Sequence, residues 1–282
     1  MLTVLEIIKR TTDFLAGKGV ANARLNAELL VGHALGRKRM QLYLEFERPL
    51  VESELERIRP LVRRRAQHEP VQYITGATEF AGVKLKVDRR ALIPRPETEL
   101  LVETVAEWCA GHPPVQRVLD LGTGSGAIAV ALGRSLPDAE VTATDRSPSA
   151  LDLARENVVA SGLASRVSVL EADWFAGVPG GVFDVIVSNP PYLSEAEAAQ
   201  TAPEVREFEP WTALAAPKEG LAELERIIAG APAHLRKGGL LALETGIDQH
   251  AQLAGWLRTG GFASVESRKD LTGRDRFILA VW

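Results

Sequence analysis

The tetrapeptide Asn189-Pro190-Pro191-Tyr192 follows an apolar run that closes on Ser188, and its residue types suit one task, gripping a planar amino group. Asn189 supplies an amide oxygen, while Pro190 and Pro191 stiffen the chain, lack N–H groups of their own and leave their carbonyls as acceptors. Two acceptors can hold both hydrogens of an NH2 group, and Tyr192 can stack on its plane. A planar nitrogen is a poor nucleophile because its lone pair is delocalised. Aiming it at an electrophilic methyl group is therefore where catalysis can arise. Asn189, Pro190 and Tyr192 form the expected catalytic set, and Asn189, Pro190, Pro191 and Tyr192 the expected substrate grip. The plainer alternative is a Pro-Pro turn that only closes a strand.

Upstream, Val118-Leu119-Asp120-Leu121 leads into Gly122-Thr123-Gly124-Ser125-Gly126, and a helix is expected to begin near Ala127. Glycines let a backbone turn tightly and approach a ligand, and the helix start presents free N–H groups. Gly122, Thr123, Gly124, Ser125 and Gly126 are thus expected to cradle a nucleotide-like cofactor. Gly122, Gly124 and Ala127 also satisfy a dinucleotide fingerprint, so the loop alone leaves a nicotinamide reading open. Asp145 follows about 20 residues later, where a carboxylate can accept from ribose hydroxyls or cap the helix that follows. Asp173 and Trp174 end a third strand, where a carboxylate can receive an adenine amino group and an indole can cover its ring. Trp174 as a simple rim aromatic is the alternative. A hydride-transfer enzyme has no use for the 189–192 grip, so S-adenosylmethionine is the expected cofactor and S-adenosylhomocysteine the product.

The elements that must position these residues read as an alternation of short apolar strands and helices. Strands are expected over 117–121, 140–145, 166–171, 183–188 and 239–244, with helices between them, which implies a parallel sheet covered on both faces. Two further strands, 263–269 and 276–282, are separated by too few residues for a helical crossover and should pair antiparallel. A helix over 97–110 precedes a turn at 111–114. The fold class is therefore α/β, a Rossmann-like sheet of seven strands preceded by a small all-helical domain. In that domain the pattern predicts helices from Thr3 to Leu15 with a Thr3/Glu6 capping box, over 22–35, over 40–46 and over 53–68 around Pro60. The expected division is a helical docking domain over 1–76, a hairpin and linker over 77–96, and a catalytic domain over 97–282.

These segments resemble the protein-(glutamine-N5) methyltransferases of peptide chain release factors, the PrmC or HemK family. The resemblance rests on Glu69-Pro70-Val71-Gln72-Tyr73-Ile74-Thr75-Gly76, on Leu92-Ile93-Pro94-Arg95-Pro96-Glu97-Thr98-Glu99, on the motifs quoted above and on Lys269-Asp270-Leu271-Thr272-Gly273-Arg274-Asp275-Arg276. It covers nearly the whole chain. It implies a class I methyltransferase fold and methylation of the glutamine in the Gly-Gly-Gln motif of class 1 release factors, in support of translation termination. It also implies that Gly122 to Gly126, Asp145, Trp174 and Asn189 contact the cofactor.

Composition narrows the alternatives. In 282 residues, 46 % are hydrophobic and 25 % charged, the balance of a globular protein. The N-terminal stretch has charges at helical spacing and no apolar run is of membrane-spanning length, so a cytoplasmic protein without a membrane partner is expected. Net charge is −4, and direct nucleic-acid binding is not expected. The competing reading is an exocyclic amino methyltransferase acting on adenine or guanine in nucleic acid, which faces the same geometric problem but has to extract a base. Five scattered histidines and the single Cys109 imply no metal, and Cys109 reads as a buried spectator. Arg57, Arg59, Arg63, Arg64 and Arg65 read as a solvated helix face rather than a docking patch. Arg95, Glu97 and Glu99 either line the cofactor entrance or cap the following helix. A monomer is expected, and no general base is identifiable.

Overall fold

A computed structural model describes residues 2–112 and 114–282, and the chain divides into two compact units. The first unit takes the chain up to Ala77 together with Ala202–Phe208. It holds α1 (Val4–Gly17), α2 (Ala23–Leu35), α3 (Arg39–Leu44), α4 (Glu52–Ala66) and α5 (Val71–Thr75). The expected capping box is present, with Glu6 N–H donating to Thr3 Oγ1 and Thr3 N–H to Glu6 Oε2. Val4, Ile8, Ala27, Val31, Leu42 and Ile58 bury a shared apolar core, and Leu15, Leu30 and Ile74 form a second cluster. The short α5 falls inside a stretch for which the sequence pattern predicts no helix.

The second unit comprises Thr78–Thr201 and Glu209–Trp282. In chain order its elements are β1 (Ala77–Phe80), β2 (Val83–Lys86), α6 (Pro96–Ala110), β3 (Arg117–Leu121), α7 (Ala127–Ser135), β4 (Glu140–Asp145), α8 (Pro148–Ala160), β5 (Val167–Glu171), β6 (Phe183–Ser188) and α9 (Glu195–Ala199). The chain then contributes α10 (Pro203–Arg206) to the first unit and resumes with α11 (Ala222–Gly230), β7 (Leu235–Glu244), α12 (His250–Thr259), β8 (Ser264–Lys269) and β9 (Asp275–Val281). Seven strands run in the order β5-β4-β3-β6-β7-β9-β8. β3 pairs in parallel with both β4 and β6, so the strand order reverses beside β3, the point where open α/β sheets bind ligands. β8 and β9 pair antiparallel as expected, but β9 is inserted between β7 and β8. β7 begins four residues before the expected 239. The turn expected over 111–114 includes Pro113, which lies outside the described residues.

Both faces of the central strands are buried, so β6 and the 240–243 stretch of β7 are nearly continuous apolar runs, whereas the edge strand β8 is mostly polar and exposed. Val118, Val185, Val187, Leu240 and Ala242 face a core completed by Leu101, Val105, Ile128 and Leu132 from α6 and α7. Leu119, Leu121, Ile186, Leu241 and Leu243 face the opposite core, covered by Leu224 and Ile227 of α11 and Leu253 and Leu257 of α12.

The hairpin expected within 77–96 is present as β1 and β2, and its Phe80, Val83 and Leu85 join the same core as α6 and α7. The catalytic stretch 97–282 is interrupted, because Ala202–Phe208 packs with the first unit. There the buried Arg65 guanidinium pairs with Glu204 and donates to Asn26 Oδ1 at 2.7 Å and to the Glu69 carbonyl at 3.1 Å. Arg65 is therefore no part of a solvated basic face, and its neighbour Arg64 is held by both oxygens of Glu69.

Candidate functional site

The loop after β3 turns through three residues in the left-handed region, Gly122, Gly124 and Gly126, with φ of 70°, 56° and 81°. A Cβ at Gly122 would lie 3.4 Å from the Trp174 ring, and one at Gly126 would press at 3.2 Å on the Ala154 backbone in α8. The first glycine thus keeps the floor beneath the indole open, and the third lets α7 start close against α8. Asp145 at the end of β4 accepts from Gly124 N–H through Oδ2 and from Ser147 N–H through Oδ1, both at 2.9 Å. It holds the loop and the start of the α8 approach, where Ser147 is the N-cap, a loop-holding role that the sequence reading did not include. Below the loop, Asp120 is fully buried and accepts from Thr123 Oγ1 at 2.5 Å and Ala129 N–H at 3.2 Å. Its other oxygen has no hydrogen-bond partner among the described residues, and desolvation, with Asp145 nearby, pushes its carboxyl up to about 7.

Buried Asn157 of α8 ties the loop to the hairpin, accepting from Lys86 N–H at 2.7 Å and donating to the Lys86 carbonyl at 3.0 Å and the Ser125 carbonyl at 2.8 Å. Trp174 has a left-handed backbone (φ 53°), and its indole N–H donates to Glu223 at 2.5 Å. This anchors the ring to α11. The Asp173 carboxylate is half exposed and paired with Arg226 at 2.7 Å, and that hydrogen bond holds it below the usual carboxylate range.

Asn189 to Tyr192 emerge from the end of β6. Ser188 is in register with Leu243 of β7, so Asn189 comes beside Glu244, the last residue of that parallel neighbour. Asn189 Nδ2 donates to Thr98 Oγ1 at 3.0 Å, Thr98 Oγ1 donates to Glu244 Oε2 at 2.7 Å, and the Tyr192 hydroxyl donates to Glu244 Oε1 at 3.0 Å. Glu244 is 1 % exposed. Burial raises its carboxyl above the ordinary value, against the opposing hydrogen bonds of Thr98 and Tyr192 and the charge of Arg276. Burial and the Glu244 charge raise the Tyr192 phenol, so its proton stays in place.

Gly122, Thr123, Gly124, Ser125, Asp145, Asp173, Trp174, Asn189 and Pro191 line one cleft at the carboxyl ends of β3, β4 and β6. Gly126, Pro190 and Tyr192 are not on that lining. Gly126 is taken up by helix packing, Pro190 is buried, and Tyr192 packs toward Glu244. Arg95 lines the cleft, with its guanidinium 2.6 Å from Glu209, whose other oxygen receives Ile93 N–H at 3.1 Å. Glu97 and Glu99 lie in the first turn of α6 behind Pro96 and are absent from the lining. Thr98, Asn157, Glu209 and Glu244 carry the site's polar framework, yet motif reading assigns them no role. The available signal for Glu244 is a carboxylate closing the apolar run 240–243 at the end of β7. Among the described residues no group of three or more His, Cys, Asp or Glu could hold a metal ion, and no helix is long and apolar enough to cross a membrane. Cys109 is buried, which pushes its thiol up to about 11.

With that geometry in place, residues 6–76 match the family described as PrmC N-terminal domain and residues 96–205 match the Methyltransferase small domain. The chain is 46 % identical over 282 residues to the release factor glutamine methyltransferase of Chlorobaculum tepidum, an alignment covering 97 % of this chain and 95 % of that one. It is 42 % identical over 276 residues to the release factor glutamine methyltransferase of Geobacter sulfurreducens, covering 98 % and 95 %. Among solved structures, the hMettl16 catalytic domain in complex with MAT2A 3'UTR hairpin 6 aligns with a TM-score of 0.58 over 71 % of this chain and 76 % of that one. The identity there is 20 %, so this likeness concerns the fold alone.

Proposed function

This chain belongs to the release factor glutamine methyltransferase family, and from that premise we infer that it methylates the side-chain amide nitrogen of a glutamine in class 1 peptide chain release factors, within their Gly-Gly-Gln motif. Its second unit has the class I methyltransferase fold. S-adenosylmethionine, when bound, supplies an electrophilic sulfonium methyl group. The cleft residues suit that donor. Asp145 retains lone pairs beyond its two backbone bonds for ribose hydroxyls, Trp174 offers an indole face, and Gly122 leaves room beneath it.

The observation that carries the reading is the direction of the Asn189 amide. Its nitrogen is tied to Thr98, so its oxygen is the atom left to accept a hydrogen from a substrate NH2 in the cleft it lines. We assign the second acceptor to a backbone carbonyl of the Pro190-Pro191 pair, of which Pro191 lines the cleft, while Tyr192 is held against Glu244 off the lining. Fixing both hydrogens sets the plane of the nitrogen and its line of approach, which substitutes for the nucleophilicity an amide lacks. As the nitrogen takes up a methyl group its hydrogens become acidic, and one leaves to water or a nearby acceptor.

The helical first unit docks the release factor, and the enzyme works as a monomer in the cytoplasm, where translation terminates. Nucleic-acid methylation has less support, because the relatives that match across nearly the whole chain are glutamine methyltransferases. The test is methyl transfer from labelled S-adenosylmethionine to a purified release factor, to the same factor with its Gly-Gly-Gln glutamine replaced, and to transfer and ribosomal RNA. Label in the intact factor alone is expected; label in RNA, or equal label in both factors, overturns the reading.

A further inference from the structure

We infer that Thr98 and Glu244 dictate which way the Asn189 amide faces and are thereby positioning residues for methyl transfer, an inference that rests on the glutamine-methylation reading above.

An Asn side chain can present either its oxygen or its NH2 group to a cleft, because the two ends have nearly the same shape. Only the oxygen can grip an incoming amide hydrogen. A hydroxyl has one hydrogen, and both oxygens of Glu244 are taken up as acceptors, Oε2 from Thr98 and Oε1 from Tyr192. Thr98 gives its single hydrogen to Glu244 Oε2 at 2.7 Å, so toward Asn189 it can only accept, and the nitrogen of Asn189 has to turn to it, at 3.0 Å. The reverse orientation would place two acceptors face to face, one of them already committed. Glu244 also takes the Tyr192 hydroxyl on its second oxygen, so one buried carboxylate orients two members of the expected substrate grip. The contributing residues sit on regular structure or directly beside it: Thr98 in the first turn of α6, Asn189 just past the end of β6 and Glu244 at the end of β7. Neither Thr98 Oγ1 nor Glu244 needs to touch the substrate to act in this way.

The test is single-turnover methylation of a release factor by wild type, Asn189→Ala, Thr98→Val, Thr98→Ser and Glu244→Gln, with cofactor affinity and melting temperature measured alongside. Thr98→Val removes the hydroxyl at nearly constant shape and should slow the chemical step about tenfold or more while changing cofactor affinity by no more than about threefold. Thr98→Ser keeps the donor and acceptor and should restore most of the rate, which a general packing role for the side chain would not require. Glu244→Gln offers Thr98 an amide hydrogen as readily as an oxygen, so the direction of Asn189 is no longer enforced and the rate should fall here too. A wild-type rate in Thr98→Val or Glu244→Gln, or Thr98→Ser as slow as Thr98→Val, overturns the proposal while leaving the function intact. A wild-type rate in Asn189→Ala instead overturns the reading on which it rests.

Discussion

Asp145 Oδ2 accepts the Gly124 N–H at 2.9 Å, tying the end of one parallel strand to the middle of the glycine loop that follows its neighbour. A single carboxylate therefore both shapes the cradle and stands at the cleft, where ribose hydroxyls can reach its remaining lone pairs. In Asp145→Ala the cofactor loses a charge-assisted acceptor, whose net worth is on the order of 1.5–3 kcal/mol. S-adenosylmethionine affinity, measured by calorimetry, should fall about tenfold or more. A lowered melting temperature with unchanged affinity would confine Asp145 to holding the loop and the α8 approach.

Asn189 is the sharpest probe of mechanism. In Asn189→Ala the glutamine NH2 loses a fixed acceptor, and single-turnover methylation should slow at least about a hundredfold, with cofactor affinity changing far less. Asn189→Asp still accepts the N–H, but its negative charge favours the sulfonium of the ground state over a transition state in which that charge is dispersing. Cofactor binding at least as tight as in wild type, combined with slower transfer, is expected; a wild-type chemical rate in either variant removes Asn189 from its orienting role.

The buried Asp120 makes a prediction about pH. Its carboxyl is pushed up to about 7 in the fold, above its ordinary value of 3.8, so the native state binds a proton that the unfolded chain releases between those two values. The contribution is fully present below the unfolded value, declines as pH rises, with a slope approaching about 1.4 kcal/mol per pH unit, and levels off above the folded value. Asp120→Asn keeps an acceptor for Thr123 and Ala129 and removes the titration. Urea denaturation should then show the variant gaining stability relative to wild type between pH 5 and pH 8. A difference between the two proteins that stays constant with pH would show that Asp120 does not titrate in this range.

Arg65 holds the first unit together from within. Its guanidinium is buried with Asn26, the Glu69 carbonyl and Glu204 as partners, so Arg65→Ala removes the donor of Asn26 Oδ1 and of the Glu69 carbonyl, while Glu204, 36 % exposed, can turn to water. A destabilisation of about 1–3 kcal/mol is expected for such a truncation, read as a shift of the urea midpoint of the first unit. Hydrogen exchange over residues 202–208 should accelerate in the same variant, and unaltered protection there would mean that Glu204 is not what holds the segment.

Local pattern alone was enough to delimit β3 and β6, whose apolar residues reach both cores, and β4, whose Val141 and Ala143 alternate with polar residues up to Asp145. The same holds for the α1 capping box and for the glycine loop, where the left-handed backbone leaves glycine as the unstrained choice. The residues expected to cradle a cofactor, and Asn189, were picked out for that reason, and most of them line one cleft. Other features had no local signature. Arg65 reads as one of a solvated run because helical spacing does not reveal a partner 139 residues away. β9 enters between β7 and β8 because strand order is set by which edges meet, and periodicity says nothing about edges. The direction of the Asn189 amide depends on Thr98 and Glu244, which lie 146 residues apart in the chain. Residue types announced that a planar nitrogen could be held there. Which end of the amide faces it was decided by the parallel register of β6 with β7 and the first turn of α6, since hydrogen-bond direction is settled only when donors and acceptors distant in sequence are brought within 3 Å of one another.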